Sequence, residues 1–261
     1  MKRFLLLALL ALSLIPLATS SSQARLAPGD FEVYNVTMIS YGLKNVTNAS
    51  YVMVPVRVTY AFYFINVTRA FNNGTIFINF TEYVWKTEFY NLTTGALVNT
   101  TYVYRYFNIT TLDNATAPGL MYYISPKILG KEYIKRGLGS NPSMWLVSES
   151  NGTYIYEWYA EGQGVKLEFI IYVNASNGVV YKAESLQYSL AYGGALVFNA
   201  TYVLWKSNLV NPNATPPAFH GYEPYHLAKV TIVPVRLIIA GIVGTGIIAI
   251  LIILLFWYRR R

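Results

Sequence analysis

The sequence predicts an all-β domain, an antiparallel sandwich or a strongly curved sheet of long hairpin strands, followed by one C-terminal transmembrane helix. Three observations lead there. From Arg25 to Lys206 the chain is a succession of runs rich in Tyr, Phe, Val, Ile and Thr, separated by Gly- and Asn-containing turn signals, with no helical period. Several runs alternate apolar and polar residues, the mark of a half-buried strand. At the far end, Leu237 to Tyr258 is a run of 22 uncharged residues, mostly Ile, Leu, Val, Ala and Gly. As a helix it would be about 33 Å long, enough for a hydrocarbon core of roughly 30 Å.

Taken in order, Lys2 and Arg3 precede the apolar run Phe4 to Leu17, and Ser22-Gln23-Ala24 supplies small residues for cleavage, so 1–24 reads as an export signal. Residues 25–206 form the β domain. Its first strand is Phe31 to Tyr41. The second, Tyr51 to Arg69, is interrupted by Pro55, which implies an edge position or a bulge there. Asn72-Asn73-Gly74 turns the chain into Thr75 to Phe89, and Thr94-Gly95 turns it again into Ala96 to Asn108. Tight turns make these strands an antiparallel meander. Thr110 to Pro118 reads as a polar loop, Met121 to Tyr123 as strand-like, and Lys127 to Arg136 as a short helix or turn.

A second β run follows: Met144 to Glu149, Tyr154 to Glu161, Val165 to Asn174, Val179 to Ala191 and Ala195 to Lys206. In the third of these, Val165, Leu167, Phe169, Ile171 and Val173 face one way, while Lys166, Glu168, Tyr172 and Asn174 face the other, with Ile170 the exception. One domain or two subdomains both fit this length. Residues 207–236, with Pro212, Pro216, Pro217, Pro224 and Pro234, read as an extended stalk. The span 237–258 ends in Phe256, Trp257 and Tyr258, an interfacial aromatic belt. The tail 259–261 is Arg259, Arg260 and Arg261, a cytoplasmic stop-transfer cluster. Signal and anchor together imply a cell-membrane protein of type I topology, its ectodomain outside.

The pattern Asn-x-Ser/Thr occurs at Asn35, Asn45, Asn48, Asn66, Asn73, Asn79, Asn91, Asn99, Asn108, Asn114, Asn151, Asn174, Asn199 and Asn213. Random placement would give about two or three such matches to the N-glycosylation acceptor. In a strand the Asn and the Ser/Thr point together and the middle residue points away. Val36, Val67, Phe80, Ile109 and Ala200 are such middle residues, all apolar, as expected of sheets with one core face and one wet, sugar-bearing face. A cysteine-free exported chain with this many acceptors has the composition of an archaeal envelope protein.

Composition and spacing weigh against most chemistry. The net charge is +8, but Lys2, Arg3 and Arg259 to Arg261 account for five positive charges, leaving 15 basic and 12 acidic residues between Arg25 and Arg236. That spread points to topology and not to a nucleic-acid partner. With no Cys, disulfides and thiolate sites are excluded. His220 and His226 lie in the stalk without metal-pair spacing, and Asp30 and Asp113 are the only aspartates, so no metal and no cofactor is expected. Glu157 and Glu161 share a strand face but stand about 13 Å apart, too far for a glycosidase pair.

What remains is an aromatic excess of 24 Tyr, 13 Phe and 5 Trp. Tyr102, Tyr104 and Tyr106 alternate on the face of Asn108, and Tyr83 and Trp85 on that of Asn79, a candidate surface for a protein or glycan partner. In the span, Ala240 with Gly244 and Gly241 with Thr245 carry the small-residue spacing of a helix dimer. The expected protein is a non-enzymatic, N-glycosylated surface protein for partner binding or envelope structure. The alternatives are a tethered polysaccharide-acting enzyme, with carboxylates paired across strands, and an accessory subunit of a membrane complex.

Overall fold

The computed structural model describes residues 26–47, 50–71, 75–114, 123–124, 128–135 and 143–225. The export signal, the apolar span 237–258, the basic tail, His226, Asn48 and Asn73 lie outside the described residues. Among the described residues no helix is long and apolar enough to cross a membrane.

Eleven strands form one sheet: β1 Phe31–Thr47, β2 Ser50–Ala70, β3 Thr75–Tyr90, β4 Leu97–Asn114, β5 Tyr133–Lys135, β6 Ser143–Ser150, β7 Thr153–Gly162, β8 Val165–Asn174, β9 Val180–Ser189, β10 Ala195–Ser207 and β11 Glu223–Pro224. Their order is β11-β4-β3-β2-β1-β10-β9-β8-β7-β6-β5. Two meanders, β1 to β4 and β5 to β10, are thus zipped together along β1 and β10, with Thr37 opposite Thr201. Every pairing between named strands is antiparallel except β11 on β4.

The strand expectations hold with four adjustments. β1 runs past Tyr41 to Thr47, paired to the start of β2. β4 runs on to Asn114, so the first part of the expected polar loop is strand paired to β3. Within the stretch expected as a short helix or turn, 128–130 is a turn and Tyr133–Lys135 a short strand. The last turn of the expected fourth strand of the second run is a 3-10 turn, Leu190–Tyr192. Pro55 sits opposite Tyr41 beside a bulge, in the part of β2 that β3 does not reach, where a missing N–H costs no ladder bond.

One face of the sheet is the core. Tyr34, Val36 and Met38 of β1, Ala61, Tyr63, Ile65 and Val67 of β2, and Ile76, Ile78 and Phe80 of β3 are buried in one cluster. Phe169, Ile171 and Val173 of β8, Tyr156 of β7 and Ala200 and Tyr202 of β10 belong to the same cluster. The sheet curves toward this face: Tyr34 Oη of β1 reaches the Val180 carbonyl of β9, two strands away, at 2.6 Å. The middle residues of the acceptor motifs take the places expected of them: Val36, Val67, Phe80 and Ala200 are buried and Ile109 packs against the cluster.

Part of the cover comes from 123–124 and 128–134. Tyr123, Ile124 and Ile134 are buried in the cluster, and Ile128 and Leu129 pack on it. Tyr123 bridges Val179, the Ile124 amide donates to the Gly178 carbonyl at 2.8 Å, and the Gly130 amide donates to Tyr156 Oη at 2.9 Å.

Candidate functional site: an aromatic face under a proline-rich strap

The expected stalk is not free where the structure describes it. After β10 the Asn208 side chain ties back to the start of β1, accepting from the Phe31 amide at 2.8 Å and donating to the Gly29 carbonyl at 3.1 Å. The segment then crosses the outer face of the sheet as a strap. Phe219 stacks on Tyr83 with centroids 4.0 Å apart and planes 17° apart, and it meets Phe62 at 5.5 Å and Phe64 at 6.4 Å. Glu223–Pro224 pair with Arg105 and Tyr106, and the Tyr225 amide donates to the Tyr106 carbonyl at 2.8 Å. Among the described residues of this stretch Pro212 lies in a turn and Pro224 in β11. What they do not prevent is docking, which needs only aromatic anchors at Phe219, Tyr222 and Tyr225 and an exposed sheet edge to receive them.

Beneath the strap lies the aromatic array that sequence alternation foresaw in part. Tyr83 meets Tyr106 at 5.8 Å and Tyr222 edge-on at 5.1 Å; Tyr104 meets Tyr222 at 5.6 Å and stacks near-parallel to Tyr102 at 6.5 Å. Trp205 continues the row through Phe62, at 5.2 Å. Simple alternation is corrected at two bulges. In β4, Tyr83 is opposite Tyr106 but Lys86 is opposite Tyr102, so β4 carries an extra residue, with Tyr104 in a left-handed backbone (φ 44°). In β3, Tyr60 faces Lys86 and Ala61 faces Val84, which makes Trp85 the bulged residue; it lies against Tyr60 at 5.6 Å. The five predicted aromatics therefore fall into two groups, Tyr83, Tyr104, Tyr106 and Tyr102 under or beside the strap, and Trp85 with Tyr60. Phe62, Trp205, Phe219 and Tyr222 were missed. Phe62 and Trp205 lie in ordinary strand patterns of β2 and β10, and Phe219 and Tyr222 in the proline-rich stretch.

Tyr102, Tyr104 and Trp205 keep 61%, 46% and 49% of their surface exposed, so the two ends of the array are open while its centre is under the strap. Replacing Phe219 with alanine is expected to free the strap without unfolding the sheet. Losing its half-buried ring contacts should cost about 2 kcal/mol. Hydrogen exchange checks this: the Tyr225 amide should lose protection while β1 and β8 amides keep theirs.

The charged residues of the outer face are paired locally. Lys86–Glu88, Lys166–Glu168 and Lys182–Glu184 form ion pairs at 2.6, 3.4 and 2.7 Å, each two residues apart on one strand. Each lysine also stands over the ring of the tyrosine directly opposite it, Tyr60, Tyr188 and Tyr172 in turn. Glu157 and Glu184 do come to either side of Ile170, two strand spacings or about 10 Å apart, but Glu184 is engaged by Lys182. Among the described residues no three His, Asp or Glu side chains converge as metal ligands.

Two carboxyls instead point into the core. Burial holds Glu32 well above the usual carboxylate range and pushes Glu82 up to about 7, against the smaller opposing effects of Tyr34 on the former and of Tyr63 and Arg57 on the latter. Hydrogen bonding at Glu32 agrees. Tyr34 Oη lies 2.6 Å from the Val180 carbonyl and 2.9 Å from Glu32 Oε2. Glu32 Oε1 is buried without a hydrogen-bond partner, an environment that disfavours the charged form. Neither carboxyl reaches solvent, at 1% and 7% exposure, and neither is placed to meet a substrate.

The chain is thus a nearly all-β protein built on one large, mostly antiparallel sheet, with an aromatic outer face. No protein-family model matches it, and no curated protein matches it in sequence.

Proposed function

We propose that this is a single-pass, N-glycosylated cell-surface protein whose β domain stands outside the membrane and serves as a binding or envelope-structural module, not as an enzyme. The observation that supports it best is the division of the acceptor motifs across the sheet. Asn35, Asn45, Asn91, Asn99, Asn108, Asn151 and Asn213 are exposed, while the residue after Asn35 is sealed in the core. Asn66, Asn79, Asn174 and Asn199 are half-buried, and the Oδ1 atoms of Asn79 and Asn199 are buried without a hydrogen-bond partner. Occupancy should therefore favour the first group. The open ends of the aromatic array, Tyr102 and Tyr104 on one side and Trp205 on the other, are the surface offered to a protein or glycan partner. The apolar span 237–258 would anchor the chain, with its C-terminus cytoplasmic, and its small residues would suit a dimer.

Two measurements on intact cells test the reading. Added protease should release the β domain, while a tag after Arg261 stays protected, and the released domain should exceed its polypeptide mass by the mass of its glycans. A protected β domain refutes the topology, and an unmodified mass refutes the glycoprotein.

A further inference from the structure

The tip of the β3–β4 hairpin presents a run of exposed apolar side chains. Phe89, Leu92, Leu97 and Val98 expose 40%, 42%, 53% and 65% of their surfaces within ten residues of chain. Solvent-facing apolar clusters of this kind usually have a cover. Two acceptor asparagines, Asn91 and Asn99, bracket this one, and both are exposed. Asn99 is the direct cross-strand partner of Phe89, and Asn91 follows Phe89 by two residues. At Asn91 the side-chain Oδ1 accepts from the amides of Thr93 and Thr94 at 2.8 and 2.9 Å, which caps the turn. The cap engages Oδ1 and not the amide nitrogen, the atom a glycan joins.

The arrangement is part of a wider pattern. Phe64, Phe71, Phe77, Phe89, Tyr106 and Tyr172 each stand two residues before an acceptor asparagine, six of fourteen motifs in a chain that is 16% aromatic. In a strand, residues two apart share a face and lie about 7 Å from each other. Where both residues lie in one strand, as Phe64 with Asn66, Phe77 with Asn79, Tyr106 with Asn108 and Tyr172 with Asn174, a first sugar is then beside the ring, able to lay its C–H face on it; at the tip the ring so placed is Phe89, directly across from Asn99.

We infer that N-linked glycans at Asn91 and Asn99 cover the apolar tip of the β3–β4 hairpin, whose side chains no described segment encloses. The inference rests on the glycoprotein reading and specifies it: these two sites are occupied, and their sugars shield Phe89, Leu97 and Val98.

Glycopeptide mass spectrometry of the full chain from its own membranes, followed by dye binding, tests it. Both tip sites should be occupied. An Asn91→Gln/Asn99→Gln protein should bind several-fold more of a hydrophobic-surface dye than the parent, and adding Leu97→Ser and Val98→Ser should return binding to the parental level. A chain with no glycan anywhere overturns both readings. Occupied Asn108 and Asn151 beside bare Asn91 and Asn99 overturns this inference alone, as does an occupied tip whose Gln variant binds no extra dye. A bare tip that binds neutral phospholipid vesicles, and loses that binding with Leu97→Ser/Val98→Ser, would assign the patch to the membrane surface and also overturn it.

Discussion

Gly178→Ala is expected to destabilise the domain by about 4 to 8 kcal/mol, whereas Gly152→Ala, a change of the same chemistry at a similar backbone angle, should cost about 1 to 2 kcal/mol. Both glycines sit in the left-handed region, at φ 76° and 74°. For an L-residue that conformation costs about 1 to 2 kcal/mol. They differ in what a Cβ would meet. At Gly152 there is open space; at Gly178 the new atom would land on the backbone carbonyl oxygen of Ile124. A backbone oxygen cannot swing aside as a side-chain tip can. Accommodation therefore requires 123–124 to lift off the β8–β9 turn, breaking the Ile124–Gly178 hydrogen bond and exposing Tyr123 and Ile124, each now 1% exposed. Uncovering two such side chains costs about 1.5 to 3 kcal/mol apiece. Urea unfolding of the two variants, compared by midpoint at equal slope, reads the difference. Equal losses would mean that 123–124 does not cover the core at Gly178.

The second large effect is on pH. In the folded chain Glu82 is pushed up to about 7 by burial, from an ordinary value of 4.5. Between those two values the folded state holds a proton that the unfolded state has released. Stability is therefore fully present below about 4.5 and is lost as pH rises through about 7, by roughly 3 kcal/mol. Glu32, also raised by burial, acts in the same direction and extends the loss to higher pH. Glu88, held low by Lys86, acts in the opposite sense at the acid end, but it lies at the surface in a half-buried pair that solvent partly screens. The expected profile is a domain more stable at pH 4.5 than at pH 8, the reverse of one stabilised mainly by paired surface carboxylates. Denaturant midpoints across that range measure it. Glu82→Gln keeps the Tyr63 contact without a charge to bury, so it should flatten the slope between 4.5 and 7 and leave only the part due to Glu32.

Both effects lie where sequence reading is weakest. Asn177-Gly178 is legible as a turn, but nothing in the chain says that a segment more than fifty residues earlier lies across it. Glu82 sits in an ordinary strand pattern, and in sequence it is as good a surface residue as Glu88. The parity of β3 puts it on the core face, beside Phe80, and parity in turn depends on where the bulges fall. The same dependence explains the aromatic face: period-two alternation holds between bulges, so Tyr83 shares its face with Asn79 and Tyr106 with Asn108 as the alternation implied. It fails across a bulge, so Trp85 and Tyr104 reached the outer face by another route.

The sequence by itself determined what depends on neighbours within a few residues: the long strands, their antiparallel turns, the edge position of Pro55, and which residues of β8 and of the acceptor motifs face inward. Side-chain direction along a strand is a local property, and turn chemistry is set by two residues. Only the tertiary structure decided what depends on distant parts of the chain meeting. β1 pairs with β10, making one sheet of two meanders, and the proline-rich segment folds back as a strap held by Phe219. Two glutamates are enclosed in the core, and the β3–β4 tip is left bare. Hydrophobic burial and strand pairing reward any surface of the right shape, whatever its separation along the chain, and local patterning carries no record of which surface that is.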